Sequence, residues 1–218
     1  MGLGVAGLLA ACGPSAGGGA SSTRSTAAAV STSLAITSEV RIEGEAMAPT
    51  LRSGDLVGVD ARAYTTAPPQ RGDIVIFLPP DEPTRSFDGR FIGIPGDTIE
   101  IDGRYSDTGH TRTAVLIKAA GAASFRALDE PYLPDQTEDP WDEITFCCDP
   151  SGRATRQPQP FVIPAGQYFV MGDNRNRSRD SRFVGLIPRA DIRSKVLDVL
   201  SPPGRADIYA KLPSLGAG

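Results

Sequence analysis

Short runs of alternating apolar and polar residues begin at about Ser38 and are separated by Gly, Pro and Asp. This period of two is typical of strands with one buried face, and the separating residues favour tight turns. The pattern predicts strands in "SEVRIEG", "LVGVDA", "RGDIVIFLPP" and "RFIGIPGDTIEIDG". Turns are expected at 44–50, 53–55 and Pro95-Gly96, with a hairpin turn at Asp102-Gly103.

The second half of the chain interrupts this pattern and then resumes it. Residues 106–160 are expected to be an inserted, partly irregular region between core strands. The core resumes in "PFVIPAGQYFVMGDNR", with two strands joined by Pro164-Ala165-Gly166, and ends in "RADIRSKVLDVLSP", a short helical turn followed by a strand. No helical period is sustained, so the predicted fold class is mostly β, an antiparallel β-sheet scaffold.

The N-terminal residues predict a separate segment. Residues 1–12 hold an apolar run that is too short to span a bilayer but suits a signal peptide. The run ends in Leu9-Ala10-Ala11-Cys12, which resembles a bacterial lipobox with Cys12 as the lipidated residue. No Lys or Arg precedes the run, so a different membrane anchor, or no anchor, are alternatives. Residues 13–37 are expected to form a flexible tether, residues 38–105 and 161–203 the core, and residues 204–218 a C-terminal tail.

Charge and composition exclude several classes of function. The net charge is −4 with acidic and basic residues interspersed, which argues against a nucleic-acid-binding protein. The adjacent Cys147 and Cys148 could be two thiols or a vicinal disulfide, and no second pair follows at the spacing of a zinc site. His110 is the single histidine and lies in a polar stretch that is typical of a solvated loop. We therefore expect neither a metal nor a cofactor.

Four segments occur in an order that resembles the type I signal peptidases, membrane-bound serine proteases with a Ser–Lys dyad. The segments are "EAMAPTLRSGDLV", "RGDIVIF", "GRFIGIPGDTIEI" and "GDNRNRSRDSRFVGLIP". The likeness covers about residues 38–200, and "LDEPYL" also fits it. The resemblance implies a β-sheet scaffold with a hydrophobic groove near the membrane surface, in which a peptide lies as an added strand.

Both positions of the dyad differ from the pattern that the resemblance implies. The nucleophilic Ser would precede Met47, where this chain has Ala46. The general base would be a Lys directly before Arg90, where this chain has Gly89. Amide hydrolysis by this route needs an oxygen nucleophile and a base to accept its proton. Neither an alanine methyl nor a glycine supplies one, so the sequence predicts no intact catalytic residue.

The residues that would support such a site are present. The resemblance assigns Ser178 to supporting the Lys and the neighbouring Asp–Arg pair to bracing a turn. The predicted groove and support residues are Met47, Pro49, Arg90, Gly93, Pro95, Asp97, Asp173, Ser178, Asp180, Ser181 and Arg182. A displaced dyad would use Lys118 or a serine of the last segment, Ser178 or Ser181.

Three functions follow from these residues. The leading hypothesis is a catalytically inactive member of the family that binds an extended peptide or a protein partner by strand addition. It would be held, by lipid or by the apolar segment, at the extracytoplasmic face of a bacterial cytoplasmic membrane. The alternatives are an active signal-peptide endopeptidase with a displaced dyad and a structural subunit of a membrane complex. The acidic stretch "DQTEDPWDE" is a candidate contact surface for such a partner.

Overall fold

The computed structural model describes residues 36–106, 111–133, 147–153, 155 and 159–201. Cys12, His110, the acidic stretch "DQTEDPWDE", most of the predicted tether and the predicted C-terminal tail lie outside the described residues. All described residues belong to one folded unit. Among them, no helix is both long and apolar enough to cross a membrane.

A seven-stranded antiparallel sheet forms the larger part of the described fold, in the order β1-β2-β11-β3-β4-β9-β10. Its strands are β1 Ser38–Arg41, β2 Leu56–Asp60, β3 Ile74–Phe77, β4 Phe87–Gly93, β9 Gln167–Met171, β10 Ile187–Pro188 and β11 Ile192–Ser201. β11 pairs with both β2 and β3, so the last strand of the described residues closes the first part of the sheet.

A second antiparallel sheet has four strands in the order β7-β6-β5-β8. They are β5 Thr98–Ser106, β6 Thr111–Lys118, β7 Arg126–Ala127 and β8 Phe161–Val162. The helices are short: α1 Ala63–Thr66, α2 Ser181–Val184 and a 3-10 turn at Arg189–Asp191. The described chain is therefore mostly β, as the alternation predicts, and the predicted helical turn before the last strand is confirmed.

The predicted hairpin turn at Asp102-Gly103 is wrong. β5 continues through these residues to Ser106, and its pairing with β6 shifts register between Asp102 and Tyr105. A glycine inside a strand often accommodates such a bulge. Gly103 therefore lies at a strand irregularity and not at a reversal of the chain. The predicted boundary between residues 105 and 106 consequently falls inside β5.

Three buried clusters fill the described fold. One lies under the second sheet and includes Ile99, Val115, Phe161 and the disulfide-linked pair Cys147–Cys148. A second joins β2, β3 and β11 to the turn that follows β1. The third gathers Val75, Phe77, Phe91 and Val170 with α2 and β10. The last two clusters hold the segments that carry the predicted site.

Candidate functional site

The segment between β1 and β2 carries Ala46 and is fixed by its apolar residues. Ile42, Met47 and Leu51 are buried in the cluster beneath β2 and β3. The Leu51 amide donates to the Met47 carbonyl at 2.9 Å, which closes a tight turn around the site. Ala48–Pro49 is a cis peptide, and Pro49 is exposed. Ala46, which directly precedes this closed turn, is half-buried.

Two hydrogen bonds tie this turn to the segment after β9. The Asn174 amide donates to the Ala46 carbonyl at 2.9 Å. The Asp173 amide donates to Met47 Sδ at 3.4 Å. Gly172 makes this contact possible, because a Cβ there would lie 2.4 Å from the Ala46 carbonyl oxygen and 2.3 Å from Ser178 Oγ. The structure therefore brings Ala46, Met47, Asp173 and Ser178 together, although they are far apart in the sequence.

Gly89, the predicted base position, is buried in β4 opposite Val75. A Cβ at Gly89 would lie 2.5 Å from Val170 Cγ1 and 3.2 Å from Phe77 Cε1. The position thus lacks an amine, and the space where a side chain would begin is filled by its neighbours. Gly89 packs against Val170, and the Ala46 carbonyl lies close to Gly172. Val170 and Gly172 are two residues apart, which is about 7 Å along an extended chain.

Arg90 and Asp173 form a buried ion pair with two hydrogen bonds. Arg90 Nε donates to Asp173 Oδ1 at 2.9 Å and Nη2 donates to Oδ2 at 2.7 Å. Arg90 Nη1 also donates to the Gly72 carbonyl, and its guanidinium lies 4.0 Å from the centre of the Tyr132 ring. Such a bidentate pair fixes both position and orientation. It joins β4 to the segment that bonds the Ala46 turn.

Asp180 and Arg182 form a second buried pair at the start of α2. Arg182 Nε and Nη2 donate to the two carboxylate oxygens at 2.8 Å, and the Gly172 amide donates to Asp180 Oδ2 at 2.9 Å. Burial alone would raise the pKa of Asp180, but the Arg182 guanidinium and hydrogen bonds, one from Ser178, hold it below its ordinary value. The Ser181 hydroxyl accepts from the Val170 amide at 2.9 Å. Both serines are thus engaged in holding the strand end.

The remaining predicted support residues lie at the end of β4 and in the turn that leads to β5. Asp97 accepts from Arg71 Nη2 and from the Ile94 amide, which closes the Pro95-Gly96 turn. Gly93 has no room for a side chain, since a Cβ would lie 2.3 Å from Ile163 Cδ1. These residues join the two sheets.

The described lysines do not provide a substitute base near Ala46. Lys118 Nζ lies 5.6 Å from the centre of the Phe125 ring. Lys195 Nζ donates to Asp73 Oδ1 at 2.6 Å, and Tyr64 Oη donates to the other oxygen of that carboxylate. Neither lysine is among the described residues that line the cleft beside Ala46. The described residues also include no group of three His, Cys, Asp or Glu side chains placed to hold a metal ion.

A cleft of about 450 Å³ opens beside Ala46. Its walls are the end of β1, the segment 43–46, Ile76, residues 84–88, Arg177 and Arg179. Asp88 lies in this wall, and its Oδ2 is enclosed without a hydrogen-bond partner among the described residues. Burial raises the pKa of Asp88 to about 6, the charge of Asp173 adds to this, and a hydrogen bond from its own backbone opposes it.

Sequence reasoning missed Asp88, Val170 and the contact between Glu130 and Arg175. The Glu130 carboxylate accepts hydrogen bonds from Arg175 and from Tyr132 Oη. An acid next to Gly89 in an otherwise buried run was the available signal for Asp88. Nothing in the local pattern marks Val170, because its role depends on which strand pairs with β4.

Comparison with known proteins identifies the family to which the chain belongs. The family described as signal peptidase, peptidase S26, matches residues 21–200. The chain therefore belongs to that family.

Two relatives matched by sequence, from Leptolyngbya laminosa and Staphylococcus aureus, agree with this assignment. A signal peptidase I of Leptolyngbya laminosa is 30% identical over 180 residues, which covers 79% of this chain and 73% of the relative. A signal peptidase IB of Staphylococcus aureus is 34% identical over 156 residues, covering 71% and 73%. A crystal structure of a signal peptidase I from Enterococcus faecalis V583 is 28% identical, with a TM-score of 0.40, and covers 61% of this chain and 98% of its own.

Proposed function

We propose that this member of the signal peptidase family does not hydrolyse peptide bonds and instead holds an extended peptide or partner segment in the cleft beside Ala46. The observation that supports this is the closed space at Gly89. There is no amine at that position, and Val170 and Phe77 occupy the volume that the first carbon of a side chain would need.

The chemistry of the family route needs two groups that are absent here. A hydroxyl must attack the carbonyl carbon, and a neutral amine must accept the hydroxyl proton. A lysine serves as that base only when burial lowers its pKa. Losing one member of such a unit already costs on the order of 10⁶-fold in rate in a serine protease where it was measured. We expect no measurable turnover when both are missing.

The site of action that we propose is the extracytoplasmic face of a bacterial cytoplasmic membrane. Attachment would come from lipid on Cys12 or from the apolar residues around it. A cleft beside an exposed edge suits an extended peptide, because main-chain hydrogen bonds bind the backbone and pockets select side chains. The sheet edge at β1 forms part of the cleft wall.

The test restores the two missing groups and makes room for one of them. The variant combines Ala46→Ser and Gly89→Lys with Val170→Ala, which removes the methyl group 2.5 Å from the new Cβ. The substrate is a preprotein whose apolar leader ends in small residues, and products are identified by mass spectrometry. We expect cleavage after a small residue by the triple variant and none by the parent. Binding of the labelled leader peptide to the parent is measured by fluorescence anisotropy.

Two controls separate the alternatives. Ala46→Ser alone lacks the base, and Gly89→Lys with Val170→Ala lacks the nucleophile, so both should be inert. Cleavage by the parent that disappears in Ser178→Ala would overturn the proposal in favour of a displaced dyad. Failure of the parent to bind the leader peptide, together with an inert triple variant, would point instead to a structural subunit of a membrane complex.

A further inference from the structure

Asp88 differs from the other charged residue on its face of β4. Asp88 pairs with Ile76 and Arg90 pairs with Ile74 across β3, and both isoleucines belong to the buried cluster that contains Met47. Alternation along a strand places Asp88 and Arg90 on one face and Gly89 on the other. Arg90 has the Asp173 carboxylate as its partner. Asp88 has no equivalent cation, and its enclosed Oδ2 has no partner among the described residues.

The arginines that line the cleft are engaged elsewhere or exposed. Arg179 donates to Asp81 Oδ2 at 2.5 Å and to Glu82, and Arg85 lies 3.9 Å from Glu82. Arg41 donates to the Gly54 carbonyl at 2.9 Å.

The remaining charged residues of the cleft wall are one arginine and two glutamates. Arg177 is exposed, while Glu43 and Glu45 add two more carboxylates to the cleft. Four arginines and three acidic residues thus line the cleft, but the enclosed Oδ2 of Asp88 bonds to none of the described residues. Enclosing a carboxylate without a paired cation is costly.

We propose that the cleft binds an extended peptide through a lysine or arginine side chain, whose cation pairs with Asp88. This inference rests on the proposed peptide-binding function and adds its specificity. The cleft volume of about 450 Å³ lies within the range of specific ligand sites. A long cationic side chain can bury its methylene groups against apolar wall residues such as Ile76 while its charge reaches the carboxylate. Charge complementarity of this kind selects partners more than it adds raw affinity.

The test uses a labelled peptide of alanine and leucine in which one lysine is moved through every position. Each lysine peptide is matched by the same peptide with norleucine, which keeps the methylene chain and removes the charge. Affinities are measured by fluorescence anisotropy for the full 218-residue chain and for Asp88→Asn. At one or two neighbouring positions we expect lysine to exceed norleucine by about tenfold or more, the effect of one charge-assisted bond. Asp88→Asn should remove that preference while norleucine peptides bind unchanged.

The outcomes distinguish this inference from the function on which it rests. If lysine and norleucine peptides bind the parent equally, peptide binding stands and the role of Asp88 is wrong. If no peptide binds parent or variant, the proposed function itself fails. A lysine preference that appears only in Arg177→Gln would show that the chain's own arginine neutralises Asp88, which also overturns the inference. Arg179→Gln is the matched control, because Arg179 already pairs with Asp81.

Discussion

Replacing Asp88 by Asn should stabilise the fold at neutral pH and above. The side chain keeps its shape, but the carboxylate that burial and Asp173 disfavour becomes an uncharged amide. A pKa raised from 3.8 to about 6 corresponds to a cost of roughly 3 kcal/mol, at about 1.36 kcal/mol for each pH unit. Asp88 is half-buried rather than fully enclosed, and the new amide must also find partners. We therefore expect a gain of about 1–2 kcal/mol at about pH 8.

The gain should depend on pH with a definite sign. The folded pKa of Asp88 lies above its ordinary value, so the folded state binds this proton more tightly than the unfolded state does. Stability from this group is complete below about pH 4 and is lost as the pH rises through about 6. The parent and Asp88→Asn should thus be nearly equal in stability at about pH 4 and diverge up to about pH 7.

Urea denaturation followed by circular dichroism at several pH values measures both quantities. The linear extrapolation gives the free energy of unfolding at each pH, provided that the slope m is unchanged. Asp81→Asn is the control, because this acid is exposed and should change stability by no more than about 0.5 kcal/mol. A variant less stable than the parent at about pH 8, or a difference independent of pH, would refute the account of Asp88 as a buried charge.

Two further substitutions test the supports of the site. Arg90→Met leaves the Asp173 carboxylate buried and unpaired, and we expect a loss of about 3–5 kcal/mol in urea denaturation; a loss below about 1 kcal/mol would contradict a buried pair. Gly172→Ala places a methyl group 2.4 Å from the Ala46 carbonyl oxygen and 2.3 Å from Ser178 Oγ. It should cost about 1–3 kcal/mol, read as a lower melting temperature, and an unchanged melting temperature would show that the turn can move away freely.

The sequence predicted the strands where its pattern was local and strong. Strands form at 38–41, 56–60, 74–77 and 192–201, where the pattern predicts them, whereas β4 begins at Phe87, before the predicted start at Arg90. It did not predict that β11 lies between β2 and β3, since strand order is decided by which faces bury together rather than by any local signal. The failed turn at Asp102-Gly103 has the same origin. A glycine indicates only that the backbone is conformationally free. The pairing of β5 with β6 decides whether the chain turns or forms a bulge there.

The candidate site shows a similar division. The predicted support residues Arg90, Asp173, Asp180 and Arg182 were found through the family resemblance, and in the structure they form two buried ion pairs. Asp88 was missed because an acid in a strand is ordinarily an outward-facing residue. Only its position in the cleft wall and its enclosed Oδ2 distinguish Asp88 from an ordinary outward-facing acid.

These supports stabilise the fold itself, so a family member with Ala46 and Gly89 at the proposed dyad positions could keep them. Asp180 accepts the Gly172 amide, and Asp173 accepts Arg90, so each charge satisfies a group that the fold has already buried. Removing one partner would leave the other enclosed and unpaired, at a cost of several kcal/mol. Gly89 carries no charged group that needs a buried partner. With no side chain there, Val170 and Phe77 pack over the position, and tight packing is itself favourable. Restoring a lysine must therefore displace a packed side chain as well as add an amine, which is why Val170→Ala belongs in the test.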